Sequence, residues 1–293
     1  MCYNIYAVLE TTFDSKIKEK KMKEFFGFGT GEYPYGRPAE GFLSWQHIVF
    51  VTTFVLTAIA LAIILGKRNR NNDLTKNKIL IWSAILIDSF EIVKIIIGSI
   101  DDPTYWKICL PLFLCSIQLI TIPLAAFSRG RVKEAALDFV LIFGPLGGIL
   151  GTVGAAQNYN AYPVLSWPNF VSAVTHCISL FAGLYIAIAG MASMKKKNMG
   201  ITFGILGFFA VAAMIANHLL DYNYMFLVRS DGTPYEMFYQ LVNGDPILYP
   251  TIVILLFVIY IFAFNGIFNL VKSKLAEKKS TIAKSDNKET VTV

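Results

Sequence analysis

The chain has 293 residues, of which 55% are hydrophobic and only 16% are charged, so its composition excludes a soluble domain and indicates an integral membrane protein. The formal net charge of +6 does not indicate nucleic-acid binding, because the basic residues gather in short loops between apolar segments. The four cysteines (Cys2, Cys109, Cys115 and Cys177) lack the spacing of a disulfide framework or a metal site, and no motif predicts a cofactor.

Residues 1–44 precede the first apolar run and are predicted to form an extramembrane N-terminal segment. This segment holds six basic residues, four of which precede Met22. The codons for Lys18 to Lys21 are rich in purines, as a ribosome-binding site is. We therefore expect translation to start at Met22, with residues 1–21 untranslated. The alternative is that residues 1–21 form a basic amphipathic leader.

Seven apolar runs follow, and each has the roughly 20 residues that a helix needs to cross the hydrocarbon core. They lie at about 45–66, 78–100, 107–127, 134–154, 169–193, 200–220 and 247–270. The sequence therefore predicts an all-α membrane domain of seven transmembrane helices over residues 45–272. Residues 273–293 are polar and are predicted to form a disordered tail.

The distribution of lysine and arginine predicts the direction of these spans. The loops after the first, third and fifth spans, together with the tail, carry 17 basic residues. The other three loops carry only two, Lys107 and Arg229. Because loops rich in lysine and arginine stay in the cytoplasm, we expect the N-terminus to lie outside and the C-terminus inside. We expect the protein to be a multi-pass protein of the plasma membrane.

Two reactive side chains lie at the same predicted depth. Cys115 comes eight residues after Lys107, and His176 comes eight residues after Pro168, where the third and fifth spans enter from outside. Both are therefore expected about 12 Å below the outer interface, at 1.5 Å per residue. A cysteine beside a histidine supplies a nucleophile and a proton acceptor for acyl transfer. If the third helix begins at Pro111, its dipole also favours the Cys115 thiolate.

Other polar residues fall in the same outer layer. Glu91 and Lys94 are three residues apart on the second span and are expected to pair. That pair is either an internal ion pair that holds helices together or the wall of a polar pocket. His47 in the first span and Asn217 and His218 in the sixth complete the layer. Glu91 or Asn223 is the candidate for orienting the histidine.

The glycines of the fourth span have the small-xxx-small spacing that lets helices approach closely. They are Gly144, Gly147, Gly148, Gly151 and Gly154.

The order of several short segments resembles a known family. These segments are FLSWQH in the first span, LPLFLC opening the third, FVSAVTHC in the fifth and NYMFL after the sixth. Their order resembles that of the YwaF-like bacterial integral membrane proteins, which are similar to the animal transmembrane-protein-164 acyltransferases that act on phospholipids. The resemblance covers about residues 42–270.

By position, the resemblance implies that Cys115 is the nucleophile and His176 the base. His47, Glu91, Asn223 and Tyr224 match motif positions without an assigned role. Phe113 and Ser116 depart from the pattern, since family members often have His and Asp at these two positions.

The predicted function is therefore lipid acyl transfer or acyl-ester hydrolysis through a Cys115 thioester, with membrane lipids as partners. One alternative is a proton or small-solute pathway formed by the buried charges, although no internal repeat is evident. Another is a non-catalytic membrane sensor, in which Cys115 can be replaced without loss.

Overall fold

The computed structural model describes residues 18–29, 39–192 and 194–289, and beyond residue 274 it describes only the backbone. Within these residues all the regular secondary structure is helical. The chain divides into two compact units, residues 1–193 and 194–293. Besides a short helix at 18–26, the first unit contains α1 (Trp45–Asn69), α2 (Asp73–Asp101), α3 (Gln118–Phe127), α4 (Gly130–Val153), α5 (Ala156–Ala161) and α6 (Trp167–Ile188). The second unit contains α7 (Lys196–Leu220), α8 (Glu236–Leu241) and α9 (Leu248–Glu289).

Side-chain caps set the starts of the first two long helices. The Ser44 hydroxyl accepts a hydrogen bond from the His47 N–H at 3.2 Å, and the Asn72 side chain accepts one from the Thr75 N–H at 3.0 Å. Each cap satisfies an N–H group that has no partner within its own helix. Lys67 and Arg68 in the last turn of α1 complement the negative end of its dipole.

The core of the first unit is built around α6, which packs against α1, α2 and α4. The predicted close approach of the glycine-rich helix is confirmed. A Cβ atom at Gly144 would lie 2.6 Å from the Ser179 carbonyl oxygen, and one at Gly148 would lie 2.6 Å from the Leu180 Cβ. Neither position has room for a larger residue, so these glycines determine how closely α4 and α6 pack.

The third apolar run is not the continuous helix that its hydropathy predicts. A 3-10 turn occupies Tyr105–Cys109, residues 110–117 form turns, and α3 begins only at Gln118. Pro111 lacks an N–H group, and the Ser116 hydroxyl accepts a hydrogen bond from the Phe113 N–H at 3.0 Å. This local bond competes with helical pairing. The third helix therefore begins at Gln118 and not at Pro111, so the condition for a dipole effect on Cys115 is not met.

This interrupted segment nevertheless runs the length of α2. The Tyr105 ring lies against Gly98 near the end of α2, and the Asn77 amide donates to the Ala126 carbonyl near its start, at 3.1 Å. Between Asn77 and Gly98 an α-helix rises about 30 Å, the thickness of a bilayer's hydrocarbon core. The chain therefore covers that distance through a segment whose first half is irregular backbone.

Five helices in the part of the chain that the structure describes are long and apolar enough to cross a membrane. They are Trp45–Asn69, Gly130–Ala161, Trp167–Ile188, Lys196–Leu220 and Leu248–Lys274. Helix α2 has 29 residues, but Asp88, Glu91 and Lys94 lower its hydropathy. The fold is thus an all-helical, multi-pass membrane protein.

In the second unit, α7 ends at Asp221, whose φ of 50° is left-handed. A loop with two short helical turns leads from there to α9. Helix α9 continues to Glu289, whereas the sequence predicted a disordered tail from residue 273. Lysine, glutamate and alanine in this stretch are strong helix formers, which accounts for the difference.

Candidate functional site

Cys115 and His176 lie together in the first unit, against Gly147 and Gly151 of α4. The thiol of Cys115 and the imidazole of His176 are close enough to interact electrostatically. Cys115 comes from the irregular segment before α3, and His176 lies about two turns into α6. Both side chains are partly exposed rather than sealed in the core. A nucleophile and a proton acceptor are therefore neighbours in the first unit.

The backbone of α6 orients the histidine. Nδ1 of His176 lies 2.7 Å from the carbonyl oxygen of Ser172, one helical turn earlier. A carbonyl oxygen can only accept, so Nδ1 carries the proton and donates it. Nε2 is then the ring nitrogen that can take a proton from the Cys115 thiol. The sequence offered Glu91 or Asn223 as candidates for orienting the ring, whereas the structure gives Nδ1 this carbonyl as its partner at 2.7 Å.

Two glycines of α4 form the surface on which the pair rests. A Cβ atom at Gly147 would lie 3.1 Å from the Cα atom of Cys115, and one at Gly151 would overlap the His176 ring. Helix α4 therefore supports both reactive residues from one side. The spacing of the glycines indicated close packing, but it gave no sign that the packing partners are Cys115 and His176.

The irregular backbone around Cys115 also contributes to the site. Because α3 begins only at Gln118, Cys115 lies before this helix rather than in its first turns. Within a membrane, irregular backbone is tolerated only where it is buried in protein or lines a cavity.

An internal ion pair lies close to the histidine. Lys94 Nζ is 2.5 Å from Glu91 Oε1, with side-chain exposures of 18% and 11%. This confirms the pairing that the three-residue spacing predicted. Lys94 also interacts electrostatically with His176. The Glu91–Lys94 pair of α2 is therefore within electrostatic range of the histidine.

A comparison with protein families identifies the family of this chain. The family model for the TMEM164 family matches residues 42–264. The chain belongs to the TMEM164 family. Comparisons with curated proteins and with solved structures gave no match. Cys115, His176, Glu91 and Lys94 all lie inside the TMEM164 match, whereas the helix at 18–26 lies before it.

His47 lies within the TMEM164 match but makes other contacts. Its ring packs edge-on against Tyr159, at 4.2 Å between centroids, and against Phe42 at 5.1 Å. Its Nδ1 accepts a hydrogen bond from the Leu43 N–H at 3.3 Å. His47 is only 1% exposed, and the contacts that the structure gives it do not include Cys115 or His176. It contributes to the packing at the start of α1.

Asn217, Asn223 and Tyr224 form a hydrogen-bonded loop in the second unit. The Asn217 amide donates to the Tyr224 carbonyl at 3.1 Å and accepts from the Tyr224 N–H at 2.5 Å. The Asn223 amide donates to the Arg229 carbonyl and to the Asp231 carboxylate, at 2.6 and 2.7 Å. These amides hold the turn after α7 in place. His218 is exposed on α7.

Proposed function

We propose that this member of the TMEM164 family is a lipid acyltransferase or acyl-ester hydrolase that works through a thioester on Cys115. The observation that carries the proposal is the position of the Cys115 thiol beside a His176 ring whose Nδ1 donates to the Ser172 carbonyl. A nucleophile, its base and an orienting group for the base are the three parts of nucleophilic acyl transfer.

In the first half-reaction the Cys115 sulfur attacks the carbonyl carbon of a lipid ester. The thiol proton passes to Nε2 of His176 as the carbon–sulfur bond forms. The ester carbon–oxygen bond then breaks, and His176 returns the proton to the departing oxygen. The products are a lysolipid and an acyl thioester on Cys115.

In the second half-reaction a hydroxyl group attacks the thioester carbonyl. His176 removes the hydroxyl proton, the carbon–sulfur bond breaks, and the proton returns to the sulfur. If the attacking group is water the outcome is hydrolysis, and if it is the hydroxyl of another lipid the outcome is acyl transfer. No redox partner or metal is needed in either half.

Membrane lipids are the substrates in this proposal, and they enter sideways from the bilayer. The partial exposure of Cys115 and His176 supports such access. We place the protein in the plasma membrane, with the pair below the outer surface, because the basic loops lie at the opposite ends of the helices. The order of its sequence segments supports a place in the bacterial YwaF-like branch of the family.

Seven crossings with the N-terminus outside are part of the same proposal. The five apolar helices supply five of them. Helix α2 supplies another, with Glu91 and Lys94 neutralising each other inside the bundle. The segment from Tyr105 to Ala126 supplies the last, because it returns along α2. Fusions of a topology reporter to the loops at residues 71 and 103 test whether α2 crosses the membrane, and we expect the two reporters on opposite sides. Both reporters on the same side would contradict the crossing of α2.

The activity is tested with a thiol-reactive probe that carries a fatty chain, applied to the full chain in nanodiscs. Cys115→Ser should abolish labelling at that position. His176→Ala should slow it by about a hundredfold, the lower range for loss of a general base. Cys109→Ser and Cys177→Ser are matched controls, since both cysteines are buried and should leave the labelling of Cys115 unchanged. Labelling of His176→Ala at the wild-type rate would overturn the proposal.

A second measurement follows the acyl group itself. After incubation with a phospholipid that carries a labelled acyl chain, the protein should hold label that hydroxylamine releases. Cys115→Ser should hold none. Label that persists in Cys115→Ser would place the acyl group on another residue and contradict the role of Cys115.

A further inference from the structure

A cavity of about 560 Å³ lies beside the start of α1, between the helix at 18–26 and the loop at 163–165. Its volume is within the range typical of small-molecule sites. Neither Cys115 nor His176 is among the residues that line it. We call it the α1 groove, and it is separate from the Cys–His pair.

The wall of the α1 groove is a continuous apolar stripe. Trp45, Val49 and Thr53 follow one another at four-residue spacing on one side of α1, with Phe50 and Phe54 beside them. At 1.5 Å per residue this stripe is about 12 Å long. Trp45 is 71% exposed and Val49 is 56% exposed, on a helix that is a candidate membrane span. A groove of this form accommodates a hydrocarbon chain that lies parallel to α1.

The mouth of the α1 groove carries charges of both signs. Lys21 and Glu24 reach it from the helix at 18–26, and Glu40 reaches it from the segment before α1. The Glu40 carboxylate accepts a hydrogen bond from the Val164 N–H at 2.8 Å, which fixes it at the mouth. Two carboxylates and the face of Trp45 attract an ammonium group.

We propose that the α1 groove binds one membrane lipid with an amine-bearing zwitterionic headgroup, of the phosphatidylethanolamine type. One acyl chain lies along Trp45, Val49 and Thr53. The ammonium group is placed near Glu24 and Glu40. This proposal does not rest on acyl transfer, because no residue of the Cys–His pair takes part in it.

Photo-crosslinking tests the occupant. The full chain is reconstituted with phosphatidylethanolamine that carries a diazirine in one acyl chain, and crosslinked peptides are mapped by mass spectrometry. Crosslinks are expected within residues 45–54 and 163–165. Val49→Trp should fill the groove and lower these crosslinks by about fivefold, whereas Leu56→Trp should not. Leu56 is 59% exposed on the same helix and does not line the groove.

Equal crosslinking of Val49→Trp and the original chain would overturn the proposal. Cys115→Ser should crosslink to the photo-lipid as much as the original chain does. A failure of the lipid-binding proposal can therefore be distinguished from a failure of the acyl-transfer proposal.

Competition tests the headgroup. Unlabelled phosphatidylethanolamine should displace the photo-lipid about fivefold better than phosphatidylglycerol, the equivalent of one exposed ion pair. Glu24→Gln combined with Glu40→Gln should remove this preference, and Asp73→Asn, an exposed carboxylate elsewhere, should retain it. Equal competition by the two lipids in the original chain would overturn the assignment of the headgroup.

Discussion

The imidazole of His176 lies directly against the backbone of Gly151, with no room for a side chain between them. This contact fixes the ring from the side opposite its helix, while the Ser172 carbonyl fixes Nδ1 within the helix. The histidine is therefore held by two neighbouring helices. A reactive pair in a mobile bilayer needs this kind of support, because small displacements of a base lower the rate steeply.

Substitution of Gly151 by alanine should displace the His176 ring and leave the fold intact. We expect the labelling of Cys115 by a thiol-reactive probe to slow by up to about a hundredfold, the effect of a misplacement of about 1 Å. Gly207→Ala is the matched control, since a Cβ atom at that helical glycine would have nothing within 4 Å. Labelling rates and melting temperatures are compared. Normal labelling of Gly151→Ala would show that the contact does not hold the ring.

Glu91→Gln should destabilise the first unit, because it leaves the Lys94 ammonium in a largely buried place without its partner. Loss of one member of a buried ion pair costs about 3–5 kcal/mol. Chemical unfolding in detergent measures this. The double variant with Lys94→Met should recover most of the loss, since no charge is then left unpaired. Arg229→Gln breaks an exposed pair with Asp231 and should have no measurable effect. Equal stability of Glu91→Gln and the original chain would contradict this account.

The proximity of Cys115 and His176 could be predicted from the sequence, but the path of the chain to Cys115 could not. The loop charges put both residues near the same end of their apolar runs, and the structure brings them together. Residues 110–117 form turns, however, so the helical rise from which the depth of Cys115 was calculated does not apply there. His47 lies at a comparable depth but packs against Tyr159 instead. The position of a residue along a helix can be counted from the sequence. The rotation of the helix about its own axis, which decides the neighbours of that residue, depends on packing against the other helices.

The break before α3 could not be predicted for a different reason. Hydropathy measures only whether a segment is apolar, and LPLFLC is apolar whether or not it is helical. The interruption depends on Pro111 and on the Ser116 hydroxyl bonding to nearby backbone. Likewise, the sequence could not distinguish an asparagine that binds a ligand from one that closes a loop, as Asn217 and Asn223 do.

Asn217→Ala should lower the melting temperature without slowing the labelling of Cys115. The amide bonds both the N–H and the carbonyl of Tyr224 in a buried turn, and each buried polar group left without a partner costs about 1–3 kcal/mol. Asn269→Ala is the control, because that side chain is exposed and bonds only within α9. Slower labelling of Cys115 well below the melting temperature would instead indicate a role for Asn217 in the reaction.

Acid should weaken the start of α9 through Asp245. The backbone N–H groups of Leu248 and Ile247 donate to its carboxylate at 2.8 and 2.9 Å, which holds the pKa of this carboxyl below its ordinary value. The charged form is thus favoured in the folded state. Its stabilisation is complete above the ordinary pKa of about 3.9 and is lost as the pH falls through the lowered folded value. Asp245→Asn keeps a capping oxygen that does not titrate. Between pH 6 and pH 3 its melting temperature should therefore fall less than that of the original chain, and an equal fall in both would exclude Asp245 as a source of acid sensitivity.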